Sequence, residues 1–96
     1  MSTLTVVAKL VVKADAIEFA KAEMLKLIEP TRQEEGCIEY RLHQDGDDPA
    51  LFVFYETWES PASLERHMKT EHFRNYVKTV GGLLKEQMLN KMTRIE

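Results

Sequence analysis

The sequence predicts an α+β fold, in which a four-stranded sheet has helices on one side. Its 96 residues leave room for a single domain that spans residues 1–96. Four segments show the alternation of apolar residues expected of strands, and three show apolar residues at helical spacing. They follow one another in the order β, α, β, β, α, α, β, which is typical of a two-layer sandwich.

The first third of the chain predicts a strand and then a helix. Residues Leu4 to Lys13 are rich in β-branched side chains, with apolar residues at alternate positions. Asp15 and Glu18 have the spacing of a capping box, which predicts that a helix begins here. We expect Pro30 to kink or end this helix, and Gly36 to stop the extra turn that follows.

Two further strands, Cys37 to Gln44 and Leu51 to Glu59, are predicted to form a hairpin through the turn Asp45 to Pro49. The second of them carries apolar side chains on both faces, interrupted only by Glu56, and the first strand of the chain is also partly apolar on both faces. The helices can cover only one face of the sheet. Since a large exposed apolar surface is costly, we expect a homodimer that packs sheet against sheet.

The last part of the chain predicts two helices and a strand. Ser60–Pro61 is the expected opening of a helix that runs to about Lys69. Thr70 can cap a further helix, which Gly81–Gly82 loosens or ends. Residues Gln87 to Ile95 alternate again and predict the fourth strand.

Composition excludes several classes of function. The 13 Lys and Arg against 16 Asp and Glu give a net charge of −3, which argues against binding to nucleic acid or to an anionic membrane surface. The apolar segments are too short to cross a bilayer, and the N-terminus does not resemble a signal peptide, so we expect a cytoplasmic protein. The single cysteine, Cys37, cannot form an intramolecular disulfide. His67 and His72 lie five residues apart on different predicted helices, so no metal site is expected.

Three segments carry a resemblance to a known family: Glu29 to Cys37, Phe52 to Ser60, and Leu64 to Phe73. In this order and spacing they resemble the antibiotic biosynthesis monooxygenase (ABM) family, in particular its small quinol monooxygenases, and the resemblance runs from Val6 to Ile95. It implies a ferredoxin-like fold that forms a dimeric α+β barrel. It also implies oxidation of quinols or related polyphenols with O2, with no metal, flavin or other cofactor.

Cofactor-free oxygenation requires a pocket for an aromatic substrate and a base that removes its proton. His67, on an otherwise apolar helix face, is the candidate catalytic base, and a buried core histidine is the alternative interpretation. Glu56, on an aromatic strand face, is the second candidate, because burial raises the pKa of a carboxylate. The alternative for Glu56 is a salt bridge to Arg41 or Lys9.

Aromatic residues supply candidate substrate-binding walls. Trp58, Phe54 and Tyr76 could stack on a small aromatic substrate, although such residues are more often simply core. His72, near the start of the last helix, is a further substrate-binding candidate because the helix dipole favours a neutral imidazole there. His43 is expected to be solvated.

Two relatives within the family imply other activities. In the haem-degrading enzymes the haem site falls on positions that here hold Ala8, His67 and Val77, which do not match it, so no haem is expected. An isomerase of a small oxygenated, possibly phosphorylated, signalling metabolite would use the same histidine for proton transfer.

A phosphorylated substrate would require a nearby cation, for which Arg66, Lys69 and Arg74 are available. A third hypothesis is a dimeric protein that binds small molecules without turning them over. It predicts that replacing His67 changes only affinity or stability.

Overall fold

A computed structural model describes residues 3–96, in which four strands and four α-helices follow the predicted order with the first helix broken in two. The elements are β1 (Leu4–Val12), α1 (Ile17–Lys26), α2 (Ile28–Arg32), β2 (Cys37–Gln44), β3 (Leu51–Trp58), α3 (Pro61–Met68), α4 (Glu71–Val80) and β4 (Leu84–Met92). The predicted α+β, ferredoxin-like fold is confirmed. None of the helices within residues 3–96 has the length and apolarity needed to span a bilayer.

The four strands form one antiparallel sheet in the order β2-β3-β1-β4. The predicted hairpin of β2 and β3 is present, and β1 lies between β3 and β4. In this register Glu56 on β3 lies beside Val6 of β1 and Tyr40 of β2. Glu56 is therefore in the middle of the sheet, where water has little access.

The core lies between the helices and the face of the sheet that we call the inner face. Its strand residues are Val6, Leu10, Val12, Tyr40, Phe52, Phe54 and Trp58. Its helix residues include Ala20, Met24, Leu64 and Val80, and Leu27 adds to the core from the break between α1 and α2. The helical spacing of the apolar residues in the sequence accounts for this packing, because it places them on one side of each helix.

The opposite face, here the outer face, carries Val7, Val11, Leu51, Val53 and Tyr55 along β1 and β3, beside Lys9, Arg41 and His43. The first four are only partly buried, and Tyr55 is 38% exposed. The apolar second face that the sequence predicts is therefore present and is not covered by the helices.

Two predicted boundaries are wrong. The first helix does not begin with a capping box at Asp15, which lies in a 3-10 turn, and the helix N-cap is Ala16, whose methyl group accepts no hydrogen bond. The path of the chain into this helix follows from the end of β1, where the Lys13 amide donates to the Leu83 carbonyl. The last strand begins at Leu84 rather than Gln87 and ends at Met92, since its limits follow its pairing with β1.

The other sequence signals act as predicted. The amide of Ser63 donates to Ser60 Oγ at 3.3 Å, and that of Phe73 donates to Thr70 Oγ1 at 3.3 Å, so both caps form. Pro30 has no amide to donate to the carbonyl four residues earlier, and the helix breaks at Leu27. Gly36 adopts a φ of 89° where the chain turns into β2.

Candidate active site

A cavity of about 240 Å³ lies between the inner face of the sheet and helices α3 and α4. Its apolar walls include Leu10, Phe54, Leu64, Met68, Phe73 and Leu89. Its polar side chains are Tyr40, Glu56, His67, Tyr76 and Gln87. An apolar cavity with a few convergent polar groups is typical of a small-molecule site.

His67 brings a supported imidazole to this cavity. Helix α3 places it next to Leu64, and both residues are buried. His67 Nδ1 lies 2.8 Å from Glu34 Oε2. A carboxylate can only accept here, so the pair favours the tautomer in which Nδ1 carries the proton. Nε2 is then the ring nitrogen left for a ligand, because the contact with Glu34 uses Nδ1.

Burial and Glu34 act on His67 in opposite directions. Burial lowers the pKa of His67, and the hydrogen bond and negative charge of Glu34 offset part of this effect. The net effect is a lowered pKa for His67, so the neutral imidazole is favoured. A neutral imidazole has the free lone pair that a general base needs.

Glu34 also contacts a second histidine. His72 Nε2, from the first turn of α4, lies 2.5 Å from the same oxygen, Glu34 Oε2. The ligating atoms of Glu34, His67 and His72 all lie within 4.8 Å of one another. We call these three residues the histidine–carboxylate cluster.

Glu56 is a buried carboxyl group with one hydrogen bond from a side chain. Trp58 Nε1 donates to Glu56 Oε1 at 2.9 Å. Burial raises the pKa of Glu56 to about 7, and the bond from Trp58 opposes the rise. The expected alternative, a salt bridge to Arg41 or Lys9, is wrong: Arg41 pairs with Glu39, and Lys9 lies on the outer face.

Tyr76 places a hydroxyl group at the cavity with no hydrogen-bond partner among the described residues. Burial, and then the charge of Glu56, raise the pKa of Tyr76, so the phenol stays protonated. Buried polar groups in proteins are normally paired, so an unpaired phenol beside a cavity is a candidate contact for a ligand. The ring of Tyr76 meets Phe54 edge to face, with centroids 6.3 Å apart.

The structure divides the predicted site residues into two groups. His67, Glu56, Phe54 and Tyr76 line the cavity. Trp58 is fully buried and reaches the site through its hydrogen bond to Glu56 and its ring contact with His67, whose centroid is 4.9 Å away. His72 lies on the other side of the imidazole, in the histidine–carboxylate cluster.

Glu34 is the site residue that the sequence reasoning missed. It follows α2 in a charged segment, and its two histidine partners lie 33 and 38 residues further along the chain. No periodicity indicates contacts of this kind. The only available signal was its position in the first of the three segments that resemble the ABM family.

Comparison with known proteins gives a consistent result. The model of the family described as "Antibiotic biosynthesis monooxygenase" matches residues 3–79. A Mycobacterium tuberculosis protein named "Putative monooxygenase" is 35% identical over 83 residues, which cover 86% of this chain and 81% of that protein. An uncharacterized Synechocystis protein is 33% identical over 92 residues, or 96% of this chain, but the chain spans only 63% of its length.

Solved structures match over almost the whole chain. A Pseudomonas aeruginosa protein superposes with a TM-score of 0.95 at 34% identity, covering 100% of this chain and 97% of that one. A structure described as an antibiotic biosynthesis monooxygenase superposes with a TM-score of 0.92 at 34% identity, and the match covers 97% of this chain and 99% of that one. These likenesses extend through β4, beyond the last residue that the family model matches.

Proposed function

The chain belongs to the antibiotic biosynthesis monooxygenase family, and we propose that it is a cofactor-independent monooxygenase that oxidises quinols or related polyphenols with O2. The observation that carries this proposal is His67, which Glu34 supports from one side and which borders an apolar cavity on the other. Such a reaction needs an electron-rich aromatic substrate, a base and shelter from water.

The first step is proton removal. A phenolic hydroxyl group in the cavity gives its proton to His67 Nε2, and Glu34 stabilises the imidazolium ion through Nδ1. The resulting phenolate is a stronger electron donor than the phenol. Glu34 acts here as a positioning residue, because it fixes the tautomer of His67.

Oxygen then reacts with the phenolate without any other electron donor. One electron passes from the phenolate to O2, and the two radicals combine at a ring carbon that carries hydrogen. The peroxide then loses water. Overall the substrate loses its hydroxyl hydrogen and one ring hydrogen, one oxygen atom becomes a new carbonyl oxygen, and the other leaves in water, so atoms and electrons balance.

Glu56 and Tyr76 have separate roles in this scheme. A carboxyl group with a pKa of about 7 can hold a proton near neutral pH, and Glu56 gives it to the departing peroxide oxygen. Tyr76 donates its free hydrogen bond to a substrate oxygen. Phe54 and Phe73 offer apolar ring surface to the substrate.

The cavity does not favour a phosphorylated substrate. Within the described part of the chain, no Arg or Lys side chain lines it. Arg66 donates to Ser63 Oγ, and Arg74 lies on a separate surface groove with Lys78. A buried phosphate without a cation or several donors would be strongly destabilised. An isomerase of a phosphorylated metabolite is therefore the weaker proposal.

We further propose that the chain works as a homodimer, supported by the apolar outer face. Val53 lies near the middle of this face and is only partly buried, so we expect Val53→Lys, which places a charge there, to dissociate the dimer. Ala22→Lys, at an exposed position on α1, is the matched control. Sedimentation velocity should show a dimer for the wild type and the control, and a wild-type monomer would contradict the proposal.

The activity is tested by oxygen uptake with a panel of reduced naphthoquinones and polyphenols, in chelator-treated buffer. We expect saturable uptake above autoxidation, lowered by about 100-fold or more in His67→Ala, the usual size of a general-base contribution. Ala22→Lys, the exposed control on α1, should keep the wild-type rate. Uptake no faster than autoxidation across the panel would refute the proposal and favour a binding protein.

A further inference from the structure

We propose that the histidine–carboxylate cluster of Glu34, His67 and His72 is a Zn²⁺ site, and that an ion bound there moves the proton of His67 from Nδ1 to Nε2. Three separate segments supply the ligands: the turn after α2, helix α3 and the first turn of α4. Their ligating atoms already lie within 4.8 Å of one another. Few side-chain movements are needed to bring them around one ion.

The donor set fits zinc. Two imidazole nitrogens and a carboxylate oxygen form the three-ligand set found in open zinc sites, in which water takes the fourth position. Imidazole ligands also favour Zn²⁺ over the hard ions Mg²⁺ and Ca²⁺. Two neutral imidazoles and one carboxylate carry a net charge of −1, which attracts a divalent cation.

The geometry needs only small adjustments. Ligand atoms around a tetrahedral Zn²⁺ with bonds of roughly 2.0–2.1 Å lie roughly 3.4 Å apart. Glu34 Oε2 lies 2.8 Å from His67 Nδ1 and 2.5 Å from His72 Nε2. Each of these two distances must lengthen by less than about 1 Å, and the third, between His67 Nδ1 and His72 Nε2, is no more than 4.8 Å and must also reach about 3.4 Å. Side-chain rotation can supply these changes.

The cluster has a route to solvent. The side chain of His67 is 2% exposed, that of Glu34 is 12% exposed and that of His72 is 27% exposed. His72 therefore opens the cluster on the side away from His67. An ion and its water ligand can enter there without passing through the cavity.

The consequence for His67 follows from imidazole chemistry. A nitrogen that coordinates a metal has no proton, so a neutral His67 bound through Nδ1 must carry its proton on Nε2. This nitrogen then donates and can no longer accept a proton. One expectation rests on the proposed function, in which Nε2 is the base: Zn²⁺ should inhibit oxygen uptake reversibly.

Calorimetric titration with Zn²⁺ alone, in a buffer that does not coordinate metals, tests the site itself. We expect one saturable Zn²⁺ site per chain, and binding weakened by about tenfold or more in Glu34→Gln and in His72→Gln, since even supporting residues of metal sites have effects of this size. The exposed His43→Gln is the matched control and should bind as the wild type does. Circular dichroism checks that each variant folds. Because His72 is partly exposed, His72→Gln should disturb the fold less than Glu34→Gln does.

Three results would overturn the site: no saturable binding by the wild type, equal binding by the cluster variants, or equal binding of Mg²⁺. Nitrogen NMR of the histidine rings tests the tautomer independently of any substrate. We expect the proton of His67 on Nδ1 without Zn²⁺ and on Nε2 with it, and an unchanged tautomer would refute the second half of the proposal. If no substrate is oxidised, the proposed function fails while both of these measurements still decide the zinc site.

Discussion

Glu56→Gln should remove a pH dependence of stability that the wild-type chain owes to one buried carboxyl group. Glu56 is 5% exposed, and its pKa is raised from 4.5 to about 7. Glutamine has nearly the same shape and keeps an oxygen that accepts the hydrogen bond from Trp58. The substitution therefore removes the titration and preserves the packing.

The sign follows from proton binding. Because the folded chain holds the proton of Glu56 more tightly than the unfolded chain does, the unfolding free energy falls as pH rises from 4.5 through about 7. The pKa of Glu56 differs by about 2.5 between the folded and the unfolded chain, which corresponds to about 3 kcal/mol of unfolding free energy when the full pH range is covered. About 2.5 kcal/mol of this should be lost between about pH 5 and about pH 8.

Urea denaturation of wild type and Glu56→Gln across this pH range, at a fixed protein concentration, measures the effect. The wild-type unfolding free energy should fall relative to that of the variant by about 2.5 kcal/mol. All other titrating groups are shared, so they cancel in the difference. Parallel pH profiles would show that Glu56 titrates normally in the folded chain and would refute the reasoning.

Substitutions at three further positions have defined outcomes. Tyr76→Phe removes a buried hydroxyl group that has no partner among the described residues. In urea denaturation the unfolding free energy should therefore be unchanged or higher by about 1 kcal/mol. The KM for a quinol should rise by about tenfold, because a hydrogen bond to the substrate is lost. Gly36→Ala should cost about 2 kcal/mol or more, because φ is 89° and the new Cβ would collide with Ser63 Oγ; a smaller loss would contradict the strain. Thr70→Ala should cost about 1 kcal/mol through the lost cap of α4, and Thr70→Ser should recover most of it.

The fold was predictable because its signals are local. The caps at Ser60 and Thr70, the stop at Gly36 and the alternation of β3 each act within a few residues, and the structure confirms them. The two boundaries that fail depend on partners distant in the chain. The strand pairing of β1 sets both the start of β4 and the 3-10 turn that replaces the expected cap at Asp15.

The candidate site was predictable only in part, for the same reason. His67, Glu56, Phe54 and Tyr76 stand out in the sequence as polar or aromatic residues on faces that must be buried, and the structure places them at one cavity. Glu34 belongs to an exposed-looking charged segment. Its role depends on contacts with α3 and α4 that only the folded chain creates.

The two buried carboxyl groups illustrate how environment assigns different chemistry to the same side chain. Glu34 contacts two imidazoles through one oxygen, and its contact with Nδ1 orients the ring of His67. Glu56 has one indole donor and aromatic surroundings, and burial raises its pKa to about 7. One glutamate that positions an imidazole and one buried carboxyl whose pKa is raised are the same side chain in two environments, and the proposed reaction uses the first to orient the base and the second to supply a proton.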